Sequence, residues 1–156
     1  MNYDNADDFL ASTVARIKET IGGQLTQETM ASLNADQITL LAWDIVHEEV
    51  MDGGFVQLIH NGYGPFIFKN PFAKAVRLWG LRDLSKLIYS AHTLYEKHHV
   101  LIEQECSDEE FMALYEKVPE FDDVDDDFVE NEEEWTEQIA YYVSQHPDMF
   151  QPREMR

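Results

Sequence analysis

Leu84, Leu87, Ile88, Ala91, Leu94 and Tyr95 stand three and four positions apart in one unbroken stretch of the 156-residue chain. That spacing gathers them on one stripe of an α-helix, whereas a strand would turn successive side chains to opposite faces. The pattern predicts a long helix from about Arg82 to about Ile102, with an apolar side that must be buried against other elements. The same period recurs on both sides. Phe9, Thr13, Ile17 and Ile21 predict a first helix stopped by Gly22 and Gly23, and Ile38, Leu41, Ala42, Ile45 and Val46 predict a second, capped by Asn34 or Asp36. Asp52, Gly53 and Gly54 break that second helix.

Beyond the break, Phe55 to His60 reads as a short helix, although FVQLI would also suit a strand, and Asn61 with Gly62 signals a turn. Asn70 followed by Pro71 has the form of an N-cap and a first helical position, opening a helix that reaches about Trp79 and is closed by Gly80. Ser107 and Glu110 form a capping box for a helix that carries Phe111, Leu114 and Tyr115 inward and ends at Pro119. Trp135, Ile139, Tyr142 and Val143 give the last stripe, stopped near His146 and Pro147. The expected fold is all-α: a single compact domain over residues 1–156, with about six to seven helices, no substantial sheet and a short flexible tail from 147.

Charge decides which functions are open to such a fold. Formal net charge is −20, unevenly spread. Residues 1–68 carry ten acids against Arg16 and Lys18, residues 69–98 carry six Lys and Arg against Asp83 and Glu96, and residues 99–150 carry eighteen acids against Lys117; Arg153, Glu154 and Arg156 complete the tail. So acidic a surface repels nucleic acid and anionic membranes and attracts basic partners. The first ten residues are acidic rather than a basic-then-apolar leader, and no apolar run has the length of a membrane span, so a cytoplasmic protein is expected. Cys106 is the sole cysteine and excludes an internal disulfide.

The densest acid lies in PEFDDVDDDFVENEEEWTE, residues 119–137, with eleven carboxylates in nineteen positions. A calcium loop is one reading. Asp123, Asp125, Asp127 and Glu134 occupy EF-hand positions 1, 3, 5 and 12, but position 6, where the loop needs glycine, holds Phe128. The other reading is a binding surface. Glu130, Glu133, Glu134 and Glu137 fall at i, i+3, i+4 and i+7, so they line one side of the last helix, and Asp122, Asp123, Asp125, Asp126 and Asp127 prolong the array as a loop before it. Rows of carboxylates on a rigid frame imitate the charge of a DNA duplex, and their natural partner is a basic DNA-binding protein. The bland alternatives are a solubilising face, or acids that neutralise the basic stretch 69–98 within the fold or across a homodimer.

Nothing in the sequence argues for catalysis. His47 beside Glu48 and Glu49 lacks the second histidine of a zinc helix, and His98 and His99 are adjacent and so point apart. Cys106 lies between Glu105 and Asp108, the wrong electrostatic setting for a thiolate nucleophile. There is no phosphate loop, nucleophile elbow or dinucleotide fingerprint. A non-enzymatic protein with no cofactor and no resident metal is expected.

The central segment EEVMDGGFVQLIHNGYG resembles the signature of a bacterial domain-of-unknown-function family that includes the DNA-mimic proteins, with Glu49, Gly53, Gly54, Phe55, Gln57, Asn61 and Gly64 at the matching positions. The resemblance extends over about residues 36–145. It implies an all-α single domain and a protein that binds a helix-turn-helix transcription regulator through an acidic surface, keeping it from its operator. The signature itself reads as architectural, with the glycines forming a tight turn, Phe55 in the core, and Gln57 and Asn61 bonded to nearby backbone. The acids of 122–137 are not part of it.

Overall fold

The computed structural model of the protein describes residues 3–151, and the tail charges at Arg153, Glu154 and Arg156 lie outside them. Nine helices and no strand occur among the described residues. They are α1 (Tyr3–Thr20), α2 (Gln27–Met30), α3 (Ala35–His60), α4 (Gly64–Phe68), α5 (Phe72–Leu78), α6 (Arg82–Ile102), α7 (Asp108–Lys117), α8 (Phe121–Gln145) and α9 (Pro147–Phe150). The all-α expectation holds, with more helices than expected, because three short ones lie in stretches read as turns or tail.

Each short helix has a local cause. Thr26 and Thr29 form a reciprocal capping box that opens α2. Pro65 stands in the first turn of α4, where its missing N–H costs nothing. Asn70 does not cap α5 as expected; its amide donates to the Phe66 carbonyl at 3.0 Å, closing α4 instead. Within the stretch expected as a tail, α9 forms over Pro147–Phe150 and places Phe150 in the core, 3% exposed. Asn34 and Gln37 donate their side-chain amides to the Met149 and Gln151 carbonyls and so fasten it.

The chain divides into two compact units, residues 1–44 with 133–156, and residues 45–132. In the first, Leu10, Val14, Ile17, Leu40, Trp43, Trp135, Ile139 and Phe150 are buried. Asn34 rather than Asp36 caps α3, its Oδ1 accepting the Gln37 N–H at 2.7 Å while Gln37 Oε1 accepts the Asn34 N–H at 3.0 Å. In the second, Phe55, Leu58, Ile67, Phe68, Leu84, Ile88, Tyr95, Leu114, Phe121 and Phe128 are buried. Helix α6 buries the stripe expected of it except Leu94, which is half-buried, and α7 starts on the expected Ser107–Glu110 box. The Ser107 backbone N–H, which donates to Glu110 Oε1, and with it the Ser107 hydroxyl hold the Glu110 carboxyl below its ordinary value.

The acidic segment is the main correction. Asp122 to Asp127 are not a loop, because α8 begins at Phe121, only three residues after α7 ends. Phe121, Val124 and Phe128 recur at helical spacing and are all buried, so the apolar residues between the acids carry the helix period back to Pro119.

Candidate functional site

At about 100° per residue, α8 separates its acids by face. The inward band holds Phe121, Val124, Asp125, Phe128, Glu132, Trp135 and Ile139; the outward band holds Asp122, Asp123, Asp126, Asp127, Glu130, Glu133 and Glu134, all exposed. The outward acids form two adjoining rows, one through 122, 126 and 133, the other through 123, 127, 130 and 134. From Asp122 to Glu130 five carboxylates span about 12 Å of axis, about 3 Å from one to the next, against about 3.4 Å along one strand of duplex DNA and about 1.7 Å for both strands together. The spacing approaches that of the polyanion. Asp122 and Asp123 sit in the first helical turn, where the macrodipole favours negative charge.

Within one chain, the described residues of the basic stretch do not pair with these rows. Among the described residues, no ion pair joins the Lys and Arg of 69–98 to the outward acids; Lys97 and His98 pair instead with Glu120, at 3.3 and 2.7 Å. His98 first, and Lys97 with it, hold the Glu120 carboxyl below its ordinary value.

Two of the nine acids expected on the surface are elsewhere. Glu137 is half-buried, and its Oε2 is shielded from water with no hydrogen-bond partner. Asp125 turns inward and caps a break in α3. At Gly53 (φ −149°, ψ 15°) and Gly54 (φ 75°, ψ −177°) the helix loses its geometry, which orphans backbone groups on both sides. Asp125 Oδ1 accepts the Phe55 N–H at 2.9 Å, and the Tyr115 hydroxyl donates to the Gly53 carbonyl at 2.7 Å. Gly54 is required twice over. Its φ is one that side-chain-bearing residues rarely adopt, and an added Cβ would overlap the Asp125 carboxylate. Burial, augmented by Asp122 and Asp126, pushes the Asp125 carboxyl up to about 7 despite the Phe55 hydrogen bond.

This break explains the glycine signature. Gln57 folds back over Gly53 and donates to Glu49 and to Asp52, and the Asn61 amide also donates to Glu49. The bonds expected from Gln57 and Asn61 to backbone therefore go to carboxylates. Phe55 is fully buried, meeting Phe128 edge-on with ring centroids 6.3 Å apart. Gly64 lies so close to the Tyr95 ring that a Cβ would collide with it.

In this structure the segment expected as a calcium loop is helical. A binding loop must curl round its ion, but on α8 Asp123 and Asp125 point about 160° apart. Among the described residues, no three His, Cys, Asp or Glu converge as metal ligands. The histidines are engaged elsewhere: His47 Nε2 lies 2.8 Å from Glu132, the second inward acid of α8, and His60 Nδ1 lies 2.8 Å from the Ile102 carbonyl. No described helix is long and apolar enough to cross a membrane.

The family model described as DMP19-like protein matches residues 31–146. A curated protein of Neisseria meningitidis serogroup B (strain ATCC BAA-335 / MC58), named DNA mimic protein DMP19, is 34% identical over 128 residues, covering 81% of this chain and 78% of its own. The match takes in the glycine break, α8 and every residue that joins them. The chain belongs to the DMP19-like protein family.

Proposed function

We propose that this protein is a non-enzymatic DNA mimic that occupies the DNA-binding surface of a basic protein, a helix-turn-helix transcription regulator, through the outward carboxylates of α8. The observation that carries the reading is the pair of rows formed by Asp122, Asp123, Asp126, Asp127, Glu130, Glu133 and Glu134, exposed and without a Lys or Arg partner among the described residues. A helix holds these charges in place, so the entropy of arranging them is spent on folding and not on binding. The relative's name, DNA mimic protein, supports the same reading. Asp125 and Glu137 do not belong to these outward rows, because Asp125 turns toward the break in α3 and one Glu137 oxygen is shielded from water. We place the protein in the cytoplasm, where such regulators act, and take one all-α domain as the binding body.

Ionic attraction gives the reading its test. The protein, immobilised, is exposed to cell extract at low salt and eluted by a salt step; a DNA-binding protein is expected in the eluate, with affinity falling steeply as salt rises. Capture of that protein must also prevent it from binding its operator. Retention of no DNA-binding protein, or of one that still binds operator normally, defeats the proposal. If the acids instead serve a homodimer contact, replacing Glu130, Glu133 and Glu134 by Gln changes self-association and leaves capture intact.

A further inference from the structure

Beside the break in α3 lies an open cavity of about 520 Å³, lined by Val50, Asp52, Gly53, Gly54, Gln57, Phe111, Met112, Tyr115 and Asp125. Its volume falls within the range of small-molecule sites, and its walls are chemically one-sided. Asp52 and Asp125 contribute carboxylates, and no Lys, Arg or His lines it. The Phe111 and Tyr115 rings stand edge to face, centroids 5.5 Å apart, and with Met112 and Val50 supply the apolar and π surface. The Phe55 N–H occupies Asp125 Oδ1, and a carboxylate accepts more than one hydrogen bond.

We infer that this cavity is a receptor for a single guanidinium group, the arginine side chain of a basic partner, held between the Asp125 and Asp52 carboxylates and stacked on Phe111 or Tyr115. Two carboxylates match the planar fork of donors on a guanidinium, and an aromatic wall favours a flat, weakly hydrated cation over a compact ammonium. The charge argument is independent of shape. Asp125 is half-buried beside Asp122 and Asp126, and among the described residues no Lys or Arg pairs with it, so a guanidinium supplies the countercharge the fold itself omits. The inference rests on the DNA-mimic reading only for the source of the arginine; the cavity chemistry stands on its own. It adds a shaped contact to an interface otherwise built from surface charge.

The experiment uses the whole protein without a partner. Methylguanidinium chloride is titrated at constant ionic strength and followed by backbone amide NMR shifts. Saturable movement of the Gly53, Gly54 and Phe55 amides is expected, with methylammonium weaker and sodium chloride giving no saturation. Asp125→Asn keeps an acceptor for the Phe55 N–H but loses the charge, and is expected to weaken methylguanidinium at least about tenfold. Glu28→Gln, an exposed acid outside both the cavity and α8, is expected to leave it unchanged. Shifts that never saturate, that centre on Asp122 to Glu134, or that persist undiminished in Asp125→Asn overturn the inference. Because no partner is present, such a failure leaves the salt-dependent capture untouched, and loss of capture leaves the cavity result standing.

Discussion

Asp125 and Asp126 are neighbours on one helix with the same side chain, and they serve opposite ends. Asp126 faces water in a row of like charges, where each carboxylate is cheap to hold and its worth lies in what it meets. Asp125 is turned into the fold, where its charge is costly and its worth lies in the backbone amide it receives. The same contrast runs along α8, with Glu132 against His47 on the inner side and Glu130, Glu133 and Glu134 in solvent on the outer. A total of −20 therefore conceals two populations: inner acids that shape the frame and outer acids that the frame displays.

The largest effects are expected at the inner face. Phe128 is fully buried against Phe55, so Phe128→Ala is expected to cost about 4 kcal/mol, whereas Val129→Ala, on the exposed side, stays within about 0.5 kcal/mol. Chemical denaturation of the two variants measures the difference directly. Gly54→Ala comes next, at about 3 kcal/mol, since it combines a strained φ with overlap on Asp125. Adding Asp125→Ala to it relieves the overlap but not the φ, so the double variant should lose less than the sum of the singles.

Asp125 itself distinguishes the two populations by pH. Its carboxyl sits near 7 in the folded protein against an ordinary 3.8, so the folded state holds that proton more tightly than the unfolded chain. The stability this gives is complete below 3.8 and is lost as pH rises to about 7. Asp125→Asn removes that dependence while retaining an acceptor for Phe55. The variant is expected to match the parent near pH 4 and to exceed it at pH 8 by on the order of 2 kcal/mol. Equal melting temperatures for the two at pH 8 would remove the distinction between inner and outer acid.

Much of this was legible in the residues, and what was not has a physical reason. Apolar spacing alone marks α1, α3, α6, α7 and the end of α8, because burial of one stripe is what stabilises a helix. The start of α8 departs from the loop expected there because dense Asp and the nearby Pro119 favour a loop, whereas Phe121, Val124 and Phe128 carry the contrary signal at intervals of three and four. Asp125 could not be distinguished from its neighbours by period alone, since its function depends on an amide 70 positions away. Gly53 and Gly54 were readable as a break but not as a site, because the groups that satisfy the break, Tyr115 and Asp125, come from α7 and α8. Asn70 illustrates the converse: a sound local cap signal, satisfied by the wrong helix.

The smallest effect on stability should carry the largest effect on binding. Replacing Glu130, Glu133 and Glu134 together by Gln removes charge from an exposed face and relieves the Glu130/Glu134 and Glu133/Glu137 repulsions, each worth only about 0.2–0.5 kcal/mol. Thermal unfolding should therefore move little, and upward. If α8 is the partner surface, the same variant should bind its captured partner more weakly, and affinity should fall less steeply with salt, because fewer ionic contacts remain to be screened. The inner substitution Asp125→Asn should do the reverse at pH 8, raising stability while leaving the salt slope nearly intact. A triple variant that retains the parent's salt slope would mean that the outer row is only a solvated face, and that the acids that matter to a partner lie on other helices.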